Sequence, residues 1–390
     1  MSHSPELFHR PELAERIARQ VLTVAVGSAA SSGVFLAAPR RTGKSTFLRE
    51  DLRPAFERAD ALVVYADLWA NPTADPGEVI VAAIRAMLAT NDGVVMRLAK
   101  ASGLSKIAIG GAVNFDLDRV GLSKDISLTD ALVALSDEIE QVIVLVIDEA
   151  QHAITTDAGI AALFALKAAR DELNSTHHHG LRLVCTGSNR DKLAMLRNSK
   201  DQAFYGAPMV DFPMLGKDFI AWFCEKAALP FPLPPERIWP VFVAAGYRPE
   251  LLGAAADTLR FNFDVSADTG PDRFVDAVSQ LATEMNQVQR KVIRSLTPIQ
   301  QAVLRVMAVT GSNYAPFEAA TMALYRKGLL EVAEDDVKVD VPNVQQALIA
   351  LQEKKLVWRA ARGVYAIEEQ AVTDILASDG LLTGLEPASE

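Results

Sequence analysis

The sequence predicts an α/β domain on a parallel sheet with helices on both faces, then an all-helical region, then three helices and a β-hairpin. Three observations predict this. Short apolar, β-branched runs alternate with helical stretches as far as residue 214. Such runs then stop, and four amphipathic segments follow. Near the end, two short strand-like runs flank Arg362-Gly363 behind three more helical segments. Uniformly apolar runs bounded by helices are the mark of parallel strands buried on both faces.

In chain order, residues 12–26 read as a helix and 34–37 (VFLA) as a strand. Residues 42–58 are helical, 61–66 (ALVVYA) a strand and 76–102 a long helix. Residues 103–127 interrupt the alternation and read as an insertion at the sheet's periphery, with IAIGGAVNFDLDRV patterned as a hairpin. Helix 128–140 leads to VIVLVI at 142–147, and helix 163–173 to LRLVCT at 181–186. A short helix at 190–197 and a weaker strand at 208–212 close the first domain, residues 1–214. An all-helical domain takes 215–295, a three-helix-and-hairpin domain 296–377, and a tail 378–390. In the third domain the helices are 297–309, where Pro298 suits a first turn, 316–327 and 342–354. Three helices and a hairpin make a winged helix-turn-helix.

Composition limits the function. The chain has 390 residues, 50% hydrophobic and 23% charged, which excludes disordered and collagen-like classes. Cys185 and Cys224 are the two cysteines, too few for a disulfide framework and without zinc spacing. The net charge of −10 argues against general polyanion binding. The N-terminus has no apolar core of a signal peptide. The uncharged stretch 20–39 contains Ser28, Ser31, Ser32 and Gly33 and reads as helix, turn and strand rather than a membrane span. The expectation is a soluble, cytoplasmic protein.

The most informative motif is Ala38-Pro39-Arg40-Arg41-Thr42-Gly43-Lys44-Ser45-Thr46, between a strand and a helix. That is the context of a phosphate-binding loop, G-x-x-x-x-G-K-[ST]. Loop and helix-start amides cradle phosphates, Lys44 contacts the β- and γ-phosphates, and Ser45 sits on Mg²⁺. Ala38 replaces the first glycine, which is tolerable if its backbone is ordinary. The strand at 142–147 ends in Asp148-Glu149, with Asp148 as the Mg²⁺ carboxylate and Glu149 as the residue that orients and activates water. The strand at 181–186 ends in Thr186-Gly187-Ser188-Asn189. Ser188 or Asn189 is placed to bond the γ-phosphate or the water, and Asn189 equally suits a helix N-cap.

Together these features resemble the AAA+ superfamily of P-loop ATPases. The loop form RRxGK[ST], Asp148-Glu149 with Gln151, Thr186-Gly187-Ser188 and Phe204-Tyr205-Gly206 are similar to the archaeal-type ATPase group. That group is close to the origin-recognition initiators and often grouped with STAND switch ATPases. The resemblance implies a sheet ordered 5-1-4-3-2, a helical lid, and ATP with Mg²⁺ bound between them. It implies Arg10 beside the adenine and Arg248 in the lid's sensor region, 246–252. Here the chain departs from the pattern, because Pro249 holds the arginine position of G-D-x-R and Arg248 lies one residue early. Ala207 stands where the group often has arginine after Tyr-Gly. Arg197 is a candidate finger or an ordinary surface arginine. A missing finger implies slow hydrolysis, since a finger is worth about 10³–10⁵ in rate, and slow hydrolysis suits a switch.

The third helix of a winged helix often enters the major groove. Here Asn343, Gln345, Gln346 and Gln352 are candidates for DNA contact, with Lys354, Lys355, Arg359 and Arg362 at the helix end and wing. Yet residues 297–390 hold 8 Lys and Arg against 13 Asp and Glu, a net of −5, and phosphate contacts dominate DNA affinity. Two partners therefore stand open, duplex DNA and a protein, the latter as in a STAND-like signalling or defence ATPase. Self-association is a third. His177-His178-His179 reads as a solvated loop, and Trp69, Trp222, Trp239 and Trp358 as core or domain-junction residues.

Overall fold

The structure is a computed structural model, described for residues 6–23, 27–91, 93, 127–175, 177–198, 202–262, 266–330, 337–361 and 363–385. Two compact units emerge. The sheet unit is Arg10–Ala37 with Ser45–Asp211, and the helical unit is Met1–His9, Ala38–Lys44 and Phe212–Glu390. Of the expected insertion at 103–127, residues 103–126 lie outside the described residues, and Ser127 caps the helix that follows.

The sheet unit holds five strands, β1 Val34–Ala37, β2 Ala61–Asp67, β3 Val142–Asp148, β4 Leu181–Gly187 and β5 Met209–Asp211. All pair in parallel in the order β2-β3-β4-β1-β5, the order that the resemblance implies. β3 is buried from Ile143 to Asp148, which is why its sequence is uniformly apolar before the carboxylate. Register brings the strand ends together, with Ala37 opposite Gly187 and Asp67 opposite Asp148. Ligands of open parallel sheets bind at this carboxyl edge.

Helices α1 (Pro11–Leu22), α2 (Lys44–Phe47), α3 (Arg53–Arg58), α4 (Pro76–Ala89), α5 (Leu128–Ile139), α6 (Asp157–Leu173) and α7 (Arg190–Ala194) complete this unit, apart from Lys44. The helix expected over 42–58 is interrupted by a π-type turn, Leu48–Leu52. α6 begins six residues before the expected start at 163, at Asp157. Thr156 caps it by accepting from the Gly159 amide at 3.0 Å.

The helical unit has two cores. The first joins α8 (Lys217–Lys226), α9 (Pro235–Ala244), α10 (Pro249–Arg260) and α11 (Gly270–Arg294) around Phe219, Ile238, Phe242, Leu252 and Phe274. The second joins α12 (Pro298–Thr310), α13 (Ala319–Leu330), α14 (Val341–Glu353), the hairpin β6 (Val357–Ala361) and β7 (Val364–Ile367), and α15 (Gln370–Ser378). This is the expected winged helix. α12 opens with a capping box of Thr297 and Gln300 and with proline in its first turn. Leu385, within the stretch read as a tail, is buried in this core. Buried Arg305 of α12 donates to the carbonyls of Leu381 and Gly328, so its charge has partners that a core position requires.

The candidate nucleotide site

Gly43 takes φ 82° and Arg41 φ 63°, so the loop turns through two left-handed residues before α2 starts. Glycine does this freely and arginine does not, and strain of that kind concentrates at functional loops. Ala38 is not among the described residues with positive φ. Its backbone is ordinary, so alanine serves there. Thr42 closes the loop by donating its hydroxyl to the Pro39 carbonyl at 2.8 Å. Lys44 is the first residue of α2 and is 5% exposed.

Within the helical unit, both loop arginines meet carboxylates. Arg40 Nη1 lies 3.2 Å from Glu369 and Nη2 3.7 Å from Glu368, both at the start of α15. Arg41 lies 4.0 Å from Glu250 of α10. The same Glu250 oxygen accepts from Arg248 Nε and Nη2, each at 2.7 Å. The Arg248 guanidinium is thus held by its own helix start.

In the sheet unit, Asp148 is 1% exposed and its carboxylate is hydrogen-bonded at both oxygens. Ser45 Oγ at 2.7 Å and Tyr65 OH at 3.0 Å donate to Oδ2. The Thr186 hydroxyl and the Glu149 amide, the latter at 3.1 Å, donate to Oδ1. Both oxygens of the buried carboxylate are thus hydrogen-bonded, as a buried polar group requires. Burial, and then the Asp148 charge, push the Tyr65 phenol above its ordinary range. Arg49 lies over the Tyr65 ring at 5.2 Å and bonds Asp67 at 2.6 Å.

Glu149 itself has φ 56° and ψ 42°, a left-handed conformation that turns the chain off β3. Its Oε2 accepts from Ser188 Oγ at 2.7 Å, Gln151 Nε2 at 2.6 Å and the Ser188 amide at 3.4 Å. Asn189 caps α7, accepting from the Lys192 amide at 3.0 Å. Arg10 lies over Phe47 of α2, its guanidinium carbon 6.0 Å from the ring centre, and its amide bonds Asp51 at 3.0 Å.

The sheet unit thus brings Ser45, Asp148, Glu149 and Ser188 to one edge. Sequence reading gave no role to Tyr65, Thr186 or Gln151. A hydroxyl breaking the apolar run Leu183-Val184-Cys185-Thr186 was the available sign. Arg197 donates to the Ala207 carbonyl and thereby ties down the Phe204–Ala207 turn. On α14, Asn343 Nδ2 bonds the Lys338 carbonyl at 2.9 Å and Gln352 Nε2 the Leu348 carbonyl at 3.0 Å, while Gln346, Lys354 and Lys355 are exposed and Gln345 is half-buried. Arg359 lies over the Tyr365 ring at 5.8 Å. Arg362 lies outside the described residues.

Two bland readings are refined. His178 bonds Asp137 at 2.8 Å, and no group of three or more His, Cys, Asp or Glu among the described residues is placed to hold a metal. Trp69 is not a core residue; it is 46% exposed and stacks on His152 at 4.6 Å between ring centres. Among the described residues, no helix is long and apolar enough to cross a membrane.

No family model and no curated protein matches the sequence. Solved structures do. The ORC2 protein of Aeropyrum pernix, in its ADP form, is 16% identical with a TM-score of 0.52, over 99% of this chain and 96% of that one. The Walker-type ATPase PABY2304 of Pyrococcus abyssi is 18% identical with a TM-score of 0.49, over 95% and 96%. The A. pernix ORC1 protein in complex with DNA is 16% identical with a TM-score of 0.44, over 98% and 95%. At these identities the likeness to ORC2 speaks for architecture. Over nearly its whole length the chain shares the fold of that ORC2 protein.

Proposed function

We propose that the chain is an ATP-binding and ATP-hydrolysing AAA+ ATPase that works as a nucleotide-dependent switch. The observation that carries this is the Ser45–Asp148–Thr186 cluster beside the Glu149–Ser188 pair at the carboxyl edge of the sheet. In this reading the amides of residues 39–46 and the Lys44 ammonium bind the phosphates. The Ser45 hydroxyl and the Asp148 carboxylate, 2.7 Å apart, are hard oxygen donors that fit Mg²⁺, which takes one or two protein oxygens besides phosphates and water. When bound, Mg²⁺ neutralises charge on the phosphates. Glu149 orients the attacking water and accepts its proton as the bond from the β-phosphate oxygen to the γ-phosphorus breaks. Ser188 steadies Glu149.

The arginine of the lid's sensor region and the candidate finger both have partners in the protein. Arg248 is paired with Glu250, and Arg197 with the Ala207 carbonyl. This supports slow turnover, fitting a switch. The test is ATP turnover of wild type, Lys44→Ala and Glu149→Gln, with and without duplex DNA. Turnover that both variants lose supports the ATPase; wild-type turnover in Glu149→Gln refutes the mechanism.

Whether the switch acts on DNA or on a protein divides on α14. Its outward side carries Gln346 and the basic pair Lys354-Lys355 lies just beyond its end, which suits DNA. Ile349, 46% exposed, and exposed Glu353 share that side and favour a protein partner, as in a STAND-like signalling ATPase. A DNA-dependent change in turnover that Lys354→Ala/Lys355→Ala abolishes selects DNA. Unchanged turnover, with no binding of labelled duplex at low salt, selects the protein.

A further inference from the structure

Gln151 has no role in the reading above, yet its surroundings are demanding. It sits in the 3₁₀ turn Ala150–Thr155 that follows β3, and it is 1% exposed. Its Nε2 donates to Glu149 Oε2 at 2.6 Å. Its Oε1 is buried with no hydrogen-bond partner. On the far side lies Gly187 of β4, where an added Cβ would come within 2.5 Å of that same Oε1.

The amide orientation follows from charge. Turning it over would set Oε1 against the Glu149 carboxylate, acceptor against acceptor. The orientation that serves Glu149 leaves a buried acceptor unsatisfied, which costs stability. A residue kept here for packing alone would be apolar. The glycine at 187 admits the amide where any side chain would displace it. Together with the Ser188 hydroxyl at 2.7 Å, the amide holds one carboxylate oxygen from two directions and so fixes the plane of the carboxylate.

We propose that Gln151 is the positioning residue of Glu149, holding its carboxylate in the orientation used to activate water, at some expense of stability. The proposal rests on the reading of Glu149 as the water-activating group. It makes Gly187 part of the same device, as the position that leaves room for the amide.

The test compares wild type, Glu149→Gln, Gln151→Met and Gln151→Leu in Mg-ATP turnover, fluorescent ADP-analogue binding and thermal unfolding. Gln151→Met removes the donor and also the stranded acceptor. Gln151→Leu also removes both, with a shorter side chain and no new charge beside Glu149. Both are expected to lose kcat by about 10- to 100-fold, the scale of a misplaced catalytic group. KM and analogue affinity should stay within about twofold, because the residue acts only through Glu149. The unfolding midpoint of Gln151→Met should equal or exceed that of wild type. Wild-type kcat in either 151 variant overturns the proposal, as does a kcat loss accompanied by lower midpoints and weaker binding in both. If Gln151→Met fails to fold, residue 151 is structural unless Gln151→Leu shows the selective kcat loss. If Glu149→Gln turns over like wild type, the water-activating reading falls first and the proposal with it, whatever the 151 variants do.

Discussion

Replacing Thr186 by valine isolates one of the bonds that hold Asp148. Valine keeps the β-branched shape that suits β4, so the strand and its pairing with Leu36 of β1 are retained and a hydroxyl is lost. That hydroxyl is fully buried and donates to a buried carboxylate. A hydrogen bond to a charged group contributes about 1.5–3 kcal/mol. Donors from Ser45, Tyr65 and the Glu149 amide remain on Asp148, so the carboxylate stays partnered and the loss should fall in that range. At about 1.4 kcal/mol per decade, the opening equilibrium of the central strands rises about 10- to 150-fold. Native-state hydrogen exchange at the amides of β3 and β4 reads that factor directly. The same change in an Asp148→Asn background should cost about 1 kcal/mol less, because the bond is then between neutral groups. Unchanged protection in Thr186→Val, or an equal loss in both backgrounds, would refute a charge-assisted bond from Thr186 to Asp148.

Gly187→Ala should destabilise the sheet unit by about 1–3 kcal/mol, the usual cost of overpacking, because the new methyl meets Gln151 Oε1 at 2.5 Å and Leu193 at 3.1 Å; thermal unfolding measures it. The buried hydroxyls of Tyr314 and Tyr325 lie 2.5 Å apart, and burial raises both phenols. Unfolded phenols lose their protons near about pH 10, before these folded ones do, so the unfolded state gains as pH rises above that value. The denaturation midpoint should therefore fall between pH 9 and 11, and fall less in Tyr325→Phe; equal falls in the two proteins would count against it.

What was legible in the sequence is what depends on neighbours in the chain or on burial from both sides. The four longer strands show as apolar runs because a parallel strand covered by helices has no face to leave polar. The loop at 38–46 shows because its chemistry needs those residue types in contiguous order. Asp148 and Glu149 show because they end a buried strand. Tyr65 and Thr186 were not legible as partners of Asp148. They stand 83 and 38 positions away from it, and strand register alone brings them to its carboxylate. Pairing also decides the arginines. Sensor spacing marks Arg248 as one residue out of place, but nothing in spacing says that Glu250, two residues on, takes its guanidinium. Trp69 misleads for a different reason. It follows an apolar strand in sequence, yet it stands past the last paired residue, Asp67, where the ring lies on His152 and faces solvent.

Under the proposed function, the loop arginines bear on nucleotide affinity through a small energy. Arg40 and Glu369 are both partly exposed, with 35% and 41% of their side-chain surface open, and such pairs contribute about 0–1 kcal/mol. A polyphosphate at the loop competes with Glu369 for the same guanidinium and has the larger charge. If ATP binds the loop as proposed, breaking the pair is a minor cost of binding, and Glu369→Gln removes that cost. The expected gain in ADP affinity is then at most about fivefold, the equivalent of about 1 kcal/mol, and it should shrink with added salt. Glu368, at 3.7 Å from the same arginine, takes up part of the released charge and lowers the gain further. Calorimetric titration of ADP into wild type, Glu369→Gln and Arg40→Ala decides the matter. A gain well above tenfold in Glu369→Gln would mean that the pair is a strong latch rather than a weak competitor. Weaker binding in Glu369→Gln would mean that Glu369 orients Arg40 for the phosphates instead of drawing it away.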